Sequence, residues 1–395
     1  MSLVYYFLIA FGAYLSLYIL YDLMLLFAHF LIKDKDIPIL SPVTRFGIII
    51  PAHNEELLLD RLLKSINEQD YPSDKVKTIV VADNCCDNTA KIGLENGALV
   101  LERKDNQQRG KGYAIKFALE KVDMNQHDAF FIIDADSVIK ADMLAQLDKA
   151  LRNGKKIIQC YNGVANPDQS WFTRLLDVSR TIGNEIYHPA KQKLGLSSYL
   201  MGNGMCFSSE VLMKYGWNAF TVGEDWEYYA RLIQSGEIVA FANKARVYHQ
   251  ESSSLKQATS QRMRWSSGRF AIAWKYGGGI FIKGLAEGNI KKIDASLPLL
   301  LPNPSLGMNL TIIGLMMSSL LAAVVRNNGF ILWFSVLLLI QLVIFIVGIL
   351  YTRHKLKNFL ALFVAPIFLI WKMAIDVLSV LGIGSKTWVR TERRL

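Results

Sequence analysis

The chain has 395 residues, room for one large domain or two modest ones with their own cores. Its hydrophobic share of 52% is high for a soluble protein and unevenly spread, which excludes a purely aqueous chain. The net charge of +10 does not point to nucleic acid, because the basic residues form no stripe with interleaved aromatics.

Lys33, Lys35 and Arg45 follow the first apolar run, and Arg353, Lys355 and Lys357 follow a later one. Lys386, Arg390, Arg393 and Arg394 crowd the C-terminus. Basic residues beside apolar spans are what the positive-inside bias and anionic headgroups favour. The four cysteines (Cys85, Cys86, Cys160 and Cys206) have neither zinc nor redox spacing and suit a reducing cytoplasm.

Residues 3–32 lack Lys and Arg and predict a helix of ~45 Å, enough to cross a bilayer core of ~30 Å with tilt. The run is too long for a signal peptide and has no basic leader or small-residue cleavage site. Asp22 within it is costly in lipid and is expected to face a partner helix or the interface.

From residue 46 the pattern alternates between strand and helix. The segment 46–52 (FGIIIPA) reads as a buried strand and 55–69 as an amphipathic helix through Leu58, Leu62, Leu63 and Ile66. Further strands are expected at 77–83, 98–102 and 129–137, with helices at 141–151 and 226–235 and a cap at Asp87-Asn88-Thr89. Such alternation implies an open, mostly parallel sheet, whose ligands bind beyond the C-terminal strand ends. Pro51, His53, Asn54 and Glu55, then Asp83 and Asn84, then Asp134 and Asp136 fall at that edge. Residues 305–325 and 330–351 are two more spanning candidates. A third, 358–381, is interrupted by Pro366, Lys372 and Asp376.

Asp134-Ala135-Asp136 places two hard oxygen ligands after an apolar strand, suited to Mg²⁺ or Mn²⁺ and so to a diphosphate; turn and cap chemistry is the alternative. Gly110-Lys111-Gly112 opens a helix, where a lysine between glycines can meet phosphate. Asp225, beside Glu224 at another helix start, is a candidate general base, although acidic pairs are common at helix N-termini. Gln261, Arg264 and Trp265 share one helical face, offering an amide, a guanidinium fork and an indole, while Arg262 and Met263 are expected to point elsewhere.

In order, IIIPAHNEE, VVADNCCDNT, RGKGYA, IIDADS, GNGMCF, VGEDWE, QRMRW and WVRTER resemble the inverting family-2 membrane glycosyltransferases, the group of cellulose, hyaluronan, chitin and poly-N-acetylglucosamine synthases. The resemblance covers residues 46–270 and, more loosely, the tail. It implies an α/β, Rossmann-like nucleotide-sugar transferase domain (GT-A type) flanked by transmembrane helices. On this reading 1–32 is a transmembrane helix and 46–254 a cytoplasmic catalytic domain. Residues 255–304 supply acceptor-platform and interfacial helices, 305–381 a transmembrane region, and 386–395 a basic cytoplasmic tail like a gating segment.

The resemblance also implies roles. Asp83 holds uracil, with Pro51, His53 and Glu55 around the uridine. Lys111 and Asp134 stand by the ribose and diphosphate, with Asp134 and Asp136 on the metal. Gly202, Asn203 and Gly204 border the donor sugar. Asp225, beside Glu224, is the base; Gln261, Arg264 and Trp265 form the platform for acceptor and diphosphate; Trp388, Thr391 and Arg393 gate the site.

The implied activity transfers a hexose or N-acetylhexosamine from a UDP-sugar to a growing polysaccharide, inverting to a β-linkage. The alternative acceptor is a single lipid, as in the ceramide glucosyltransferases. Polymer synthases usually have more helices, which leaves room for a small membrane partner subunit. The lipid bilayer is the expected setting, in the plasma (inner) membrane. If all three late segments crossed, the tail would end outside, so 358–381 is expected to be re-entrant or interfacial.

Overall fold

The computed structural model describes residues 2–33, 41–325 and 328–383; Trp388, Thr391, Arg393 and the tail 386–395 lie outside the described residues. After α1 (Ser2–Leu31) come β1 (Phe46–Ala52), α2 (Leu59–Asn67), β2 (Val76–Asp83), α3 (Thr89–Glu95), β3 (Leu99–Arg103), α4 (Lys111–Lys121) and β4 (Ala129–Ile132). Then follow β5 (Ser137–Ile139), α5 (Met143–Arg152), β6 (Ile157–Val164), α6 (Trp171–Thr181) and α7 (His188–Lys193). The central domain closes with β7 (Met205–Ser208), α8 (Ser209–Tyr215), α9 (Glu224–Gln234) and β8 (Ala240–His249). The rest is helical: α10 (Leu255–Ile272), α11 (Gly278–Ala286), α12 (Ile290–Leu300), α13 (Pro304–Val325), α14 (Gly329–Tyr351), α15 (Lys355–Ala361) and α16 (Ala365–Val380). Short π-helical turns at Ile182–Tyr187 and Ala273–Gly277 follow α6 and α10.

The eight strands form one sheet in the order β3-β2-β1-β4-β7-β6-β8-β5. Both faces are covered, which is why the strands read as unbroken apolar runs. Ile49, Ile79, Val81, Phe130 and Ile132 pack with α4 and α9 on one face. Ile48, Ile50, Val80 and Phe131 pack with α2 and α5 on the other.

The expectation of a mostly parallel sheet holds for β3, β2, β1 and β4, and for β6 with β8. β7 runs antiparallel to both its neighbours, β4 and β6. Its start therefore lies at the edge where β4 ends, and this brings Gly202-Asn203-Gly204 beside Asp134. The strand expected at 129–137 is two strands: β4 stops at Ile132, and β5 pairs with β8 at the far side of the sheet. The Asp-Ala-Asp segment is the crossing between them.

Asn88 makes no side-chain cap for α3; Asp87 accepts from the Thr89 backbone instead (3.0 Å).

Among the described residues four helices are long and apolar enough to cross a membrane: Leu3–Leu31, Pro304–Ala323, Gly329–Tyr351 and Lys355–Val380. Leu8, Leu15, Ile19, Phe334 and Leu337 pack the first of these against α14. The last is broken by a 3₁₀ turn at Leu362–Val364 ahead of Pro366. Its longer piece, α16, has 16 residues and is only ~24 Å long. Its polar residues turn inward, where Lys372 and Asp376 pair with each other and reach Ser266 of α10.

Candidate active site

One cavity of about 2340 Å³ runs along the C-terminal edge of β1, β2 and β4 and continues between the apolar helices. At the sheet edge the chain leaves β1 and β2 through Asn54 (φ 56°) and Asn84 (φ 52°), left-handed positions that asparagine tolerates. His53 turns back to meet the Asp83 carbonyl (2.6 Å). The Asp83 carboxylate accepts from Arg103 (2.8 Å) and Asn84 (2.9 Å). Burial raises its pKa, with Arg103 opposing. Pro51, His53, Glu55 and Asp83 all line the cavity.

Beyond β4, Asp134, Ala135 and Asp136 all line the cavity, and Ala135 also packs into the core. Lys111, opening α4, places its ammonium between the Asp134 carboxylate and the Gly202 carbonyl. Burial pulls its pKa down, but Asp134, Glu224 and Asp225 together hold it above the ordinary lysine value. Gly112 is required here by close approach: a Cβ would lie 2.1 Å from the Ala219 carbonyl oxygen.

Glu224 and Asp225 open α9 and are half-buried on the same cavity. Burial raises both carboxyl pKa values; for Glu224 the neighbouring Asp225 adds to the rise and Lys111 offsets part of it. For Asp225 the Trp226 backbone N–H and Lys111 pull the other way.

The loop before β7 is held by a residue that sequence reasoning missed. Gln159 of β6 accepts from Met201 N–H and donates to the Asn203 carbonyl, both at 2.8 Å. Asn203 in turn accepts from the Asp134 backbone (3.0 Å). Gly204, expected at the donor sugar, is turned away: a Cβ there would meet Val247 and Cys160 at 3.1 and 3.3 Å, inside the sheet. Gly202 is the glycine that faces the site, where a Cβ would lie 3.2 Å from Asp225 Oδ2. The antiparallel entry into β7 decides between the two, and no local pattern shows it.

On α10, Gln261, Arg264 and Trp265 line the cavity together, as the helical period implies. Met263 points away, toward Ser379 of α16 (3.4 Å). Arg262 does not point elsewhere as expected. It lines the same cavity and donates to Glu251 (2.6 Å), a carboxylate 3% exposed. Arg262 and Arg180 also stand over the Trp265 ring at 4.6 and 6.0 Å. The Trp265 indole, expected as part of the acceptor platform, is thus already engaged by guanidinium groups.

Glu251 completes a chain of contacts with no local signature in the sequence. It bonds His249 (3.0 Å), whose other ring nitrogen meets Asn162 (2.8 Å), and Asn162 lies 3.4 Å from Asn203. Burial would raise the Glu251 pKa, but Arg262, His249 and Arg180 hold it well below the ordinary carboxylate range. The loop before β7 and helix α10 are therefore joined in one polar network. Both nitrogens of His249 are used within it.

A family model described as glycosyltransferase like family 2 matches residues 42–268, more than half of the chain. The chain belongs to this family. It is 24% identical over 275 residues to a probable glycosyltransferase, YdaM, of Bacillus subtilis, covering 65% of this chain and 64% of that one. It is 25% identical over 234 residues to a beta-monoglucosyldiacylglycerol synthase of Nostoc, covering 57% of this chain and 48% of that one. The chain thus spans less than two thirds of the length of these relatives. Among solved structures it resembles a mannosyltransferase of Pyrobaculum calidifontis in complex with GDP-Man and Mn²⁺, with TM-score 0.53 and 20% identity over 85% of this chain and 98% of that one. The fold of this family-2 member is the Rossmann-like GT-A domain, flanked here by the four apolar helices.

Proposed function

We propose that this family-2 glycosyltransferase moves a hexose or N-acetylhexosamine from a UDP-sugar to a hydroxyl of a membrane lipid, inverting the anomeric centre to a β-linkage. The observation that carries the reading is the continuity of the cavity. The wall that holds Asp134 and Asp225 also includes Leu310, Leu342, Phe345, Phe368 and Leu369 of the apolar helices. A relative that is a diacylglycerol glycosyltransferase by name supports the same acceptor class. The growing-polysaccharide acceptor expected from the sequence leaned on the tail 386–395, which lies outside the described residues.

Asp134 and Asp136 fit a divalent ion in donor type, as hard carboxylate oxygens gathered where Lys111 already serves as a cation among acids. Among the described residues no three His, Cys, Asp or Glu side chains converge as a metal cage, so an ion held by Asp134 and Asp136 would take further ligands from the donor diphosphate. When bound, Mg²⁺ or Mn²⁺ supplies neutralisation of charge on the leaving diphosphate.

The chain's own residues supply the rest. Asp83, His53, Pro51 and Glu55 hold the uridine. Asp225 accepts the proton of the acceptor hydroxyl as that oxygen attacks the anomeric carbon opposite UDP. The bond from the anomeric carbon to the diphosphate breaks, and Lys111 and Arg264 receive the charge on departing UDP. No covalent enzyme intermediate is needed.

The test is to incubate the purified protein with a panel of UDP-sugars and lipid acceptors, with and without EDTA, and to size the product. A β-linked glycolipid bearing one sugar, lost on chelation, is expected. A polymer formed without added lipid would refute the acceptor class, and full turnover in EDTA would refute the metal.

A further inference from the structure

The cavity wall carries several cations that the proposed reaction does not use, and most of these are spent on a carboxylate. Lys191 of α7 pairs with Asp294 (3.0 Å), Arg262 with Glu251 (2.6 Å), and Lys372 of α16 with Asp376. Arg269 of α10 lines the same cavity and is half-buried, yet no carboxylate among the described residues pairs with it.

Its hydrogen bonds run from one nitrogen. Nη2 donates to the Pro298 carbonyl (2.9 Å) and to the Leu301 carbonyl (2.6 Å). Both lie at the C-terminal end of α12, where the last carbonyls lack partners within the helix and a cation is favoured. Capping α12 is therefore one duty of Arg269, and Nη2 alone performs it. Among the described residues Nε and Nη1 donate to nothing, and neither is sealed among protein atoms. Three of the five guanidinium N–H groups are thus left on the cavity.

The place of this group fits one kind of ligand. Arg269 stands one turn beyond Trp265 on α10, and its Cζ lies 5.8 Å from the ring centre of Trp226, the residue after Asp225. Leu301 lies just ahead of Pro304, where α13 begins its apolar run, so Arg269 sits level with the boundary between headgroups and hydrocarbon. The ester carbonyls of a diacyl lipid lie at that depth. In a diacylglycerol the nearest ester is on the carbon beside the one that bears the hydroxyl, so a hydroxyl at Asp225 brings a carbonyl toward Arg269.

We propose that Arg269 is a specificity subsite for the acceptor, donating from Nε and Nη1 to an acyl ester carbonyl of a diacylglycerol-type lipid. This rests on the lipid-acceptor reading of the same cavity. An ether lipid of the same shape would fill the same volume and leave these donors unpaired, which is how a polar site rejects an analogue that lacks the matching group.

The experiment uses the full chain in mixed detergent micelles at saturating UDP-sugar, with 1,2-diacylglycerol and the 1,2-dialkylglycerol of equal chain length as acceptors. The wild type should show an acceptor KM about tenfold higher for the ether, as expected for loss of a hydrogen bond to a charged group. Arg269→Gln should raise the ester KM toward that of the ether and bring their ratio close to one, with donor KM unchanged. Arg269→Lys should lower the ratio as well, because one ammonium cannot span α12 and a ligand, and it decides the matter if Arg269→Gln does not fold. Equal KM values for ester and ether in the wild type would overturn the proposal whatever the variants do. So would variants in which both KM values rise together and the ratio is kept, since Arg269 would then serve α12 alone. A wild type that uses neither lipid and elongates a polymer would instead overturn the lipid-acceptor reading, a result distinct from equal use of both.

Discussion

Arg262 and Arg264 stand two residues apart on α10 and have opposite duties. Arg262 is the nearest cation to a buried carboxylate, so Arg262→Ala should cost about 3 kcal/mol, the low end for breaking a buried pair because Arg180 and His249 still face Glu251, measured by chemical denaturation. Arg264→Lys should leave stability nearly intact and reduce turnover, because an ammonium cannot reproduce the guanidinium fork on a phosphate. Similar stability losses in the two would contradict the division. Asp225→Asn should keep UDP affinity and lower turnover by ~10²–10⁴-fold, measured by titration and steady-state rates. As the base must be deprotonated and its pKa is raised by burial, activity should fall as pH drops through a value above the ordinary carboxylate range of ~4. A limb at or below that range would exclude Asp225. The residues that line the cavity were legible in the sequence through the order of their motifs along the chain, since the carboxylates after β4 on their own fit turn and cap chemistry equally well. Glu251 was not legible: its pairing with Arg262, Arg180 and His249 depends on where β8 delivers the chain.

Helix α10 meets the start of α9 backbone to backbone. A Cβ on Gly268 would lie 2.9 Å from Gly223 N and 3.0 Å from its Cα, with no flexible side chain to yield. Gly268→Ala should therefore push the two helix segments apart, destabilise the protein by about 1–3 kcal/mol and misplace Asp225 relative to Arg264. A melting curve and a rate assay on the same preparation check this; unchanged turnover would mean that the contact does not set the site. The strand boundaries in the parallel half of the sheet were read closely from the sequence, since β1, expected at 46–52, spans Phe46–Ala52, whereas the helix expected at 55–69 is shorter, Leu59–Asn67. The split of 129–137 was not readable, because β5 begins only at Ser137 and is defined by its long-range pairing with β8. The π-helical turns after α6 and α10 also left no local signal.

At the scale of the whole molecule, the basic loop after α14 and the sheet domain should share the cytoplasmic side, while the α13–α14 connection lies opposite. A cysteine at Asn328 should react with an impermeant reagent in intact cells, and one at Arg353 only after permeabilisation. The reverse pattern would invert the topology. Trp274, 95% exposed, with Ile282 and Leu285 beyond it, gives the helices after α10 an apolar edge suited to the headgroup layer.

The single cavity shared by the sheet edge and the apolar helices has a kinetic consequence. Its two substrates would be counted in different units: the nucleotide sugar by its molarity in water, the acceptor by its fraction of the surface. Adding inert detergent at constant total acceptor should then slow turnover, although no molarity of either substrate has changed. Rates plotted against acceptor mole fraction should fall on one curve at every detergent concentration. A rate that followed bulk acceptor concentration alone would mean that the acceptor arrives through water.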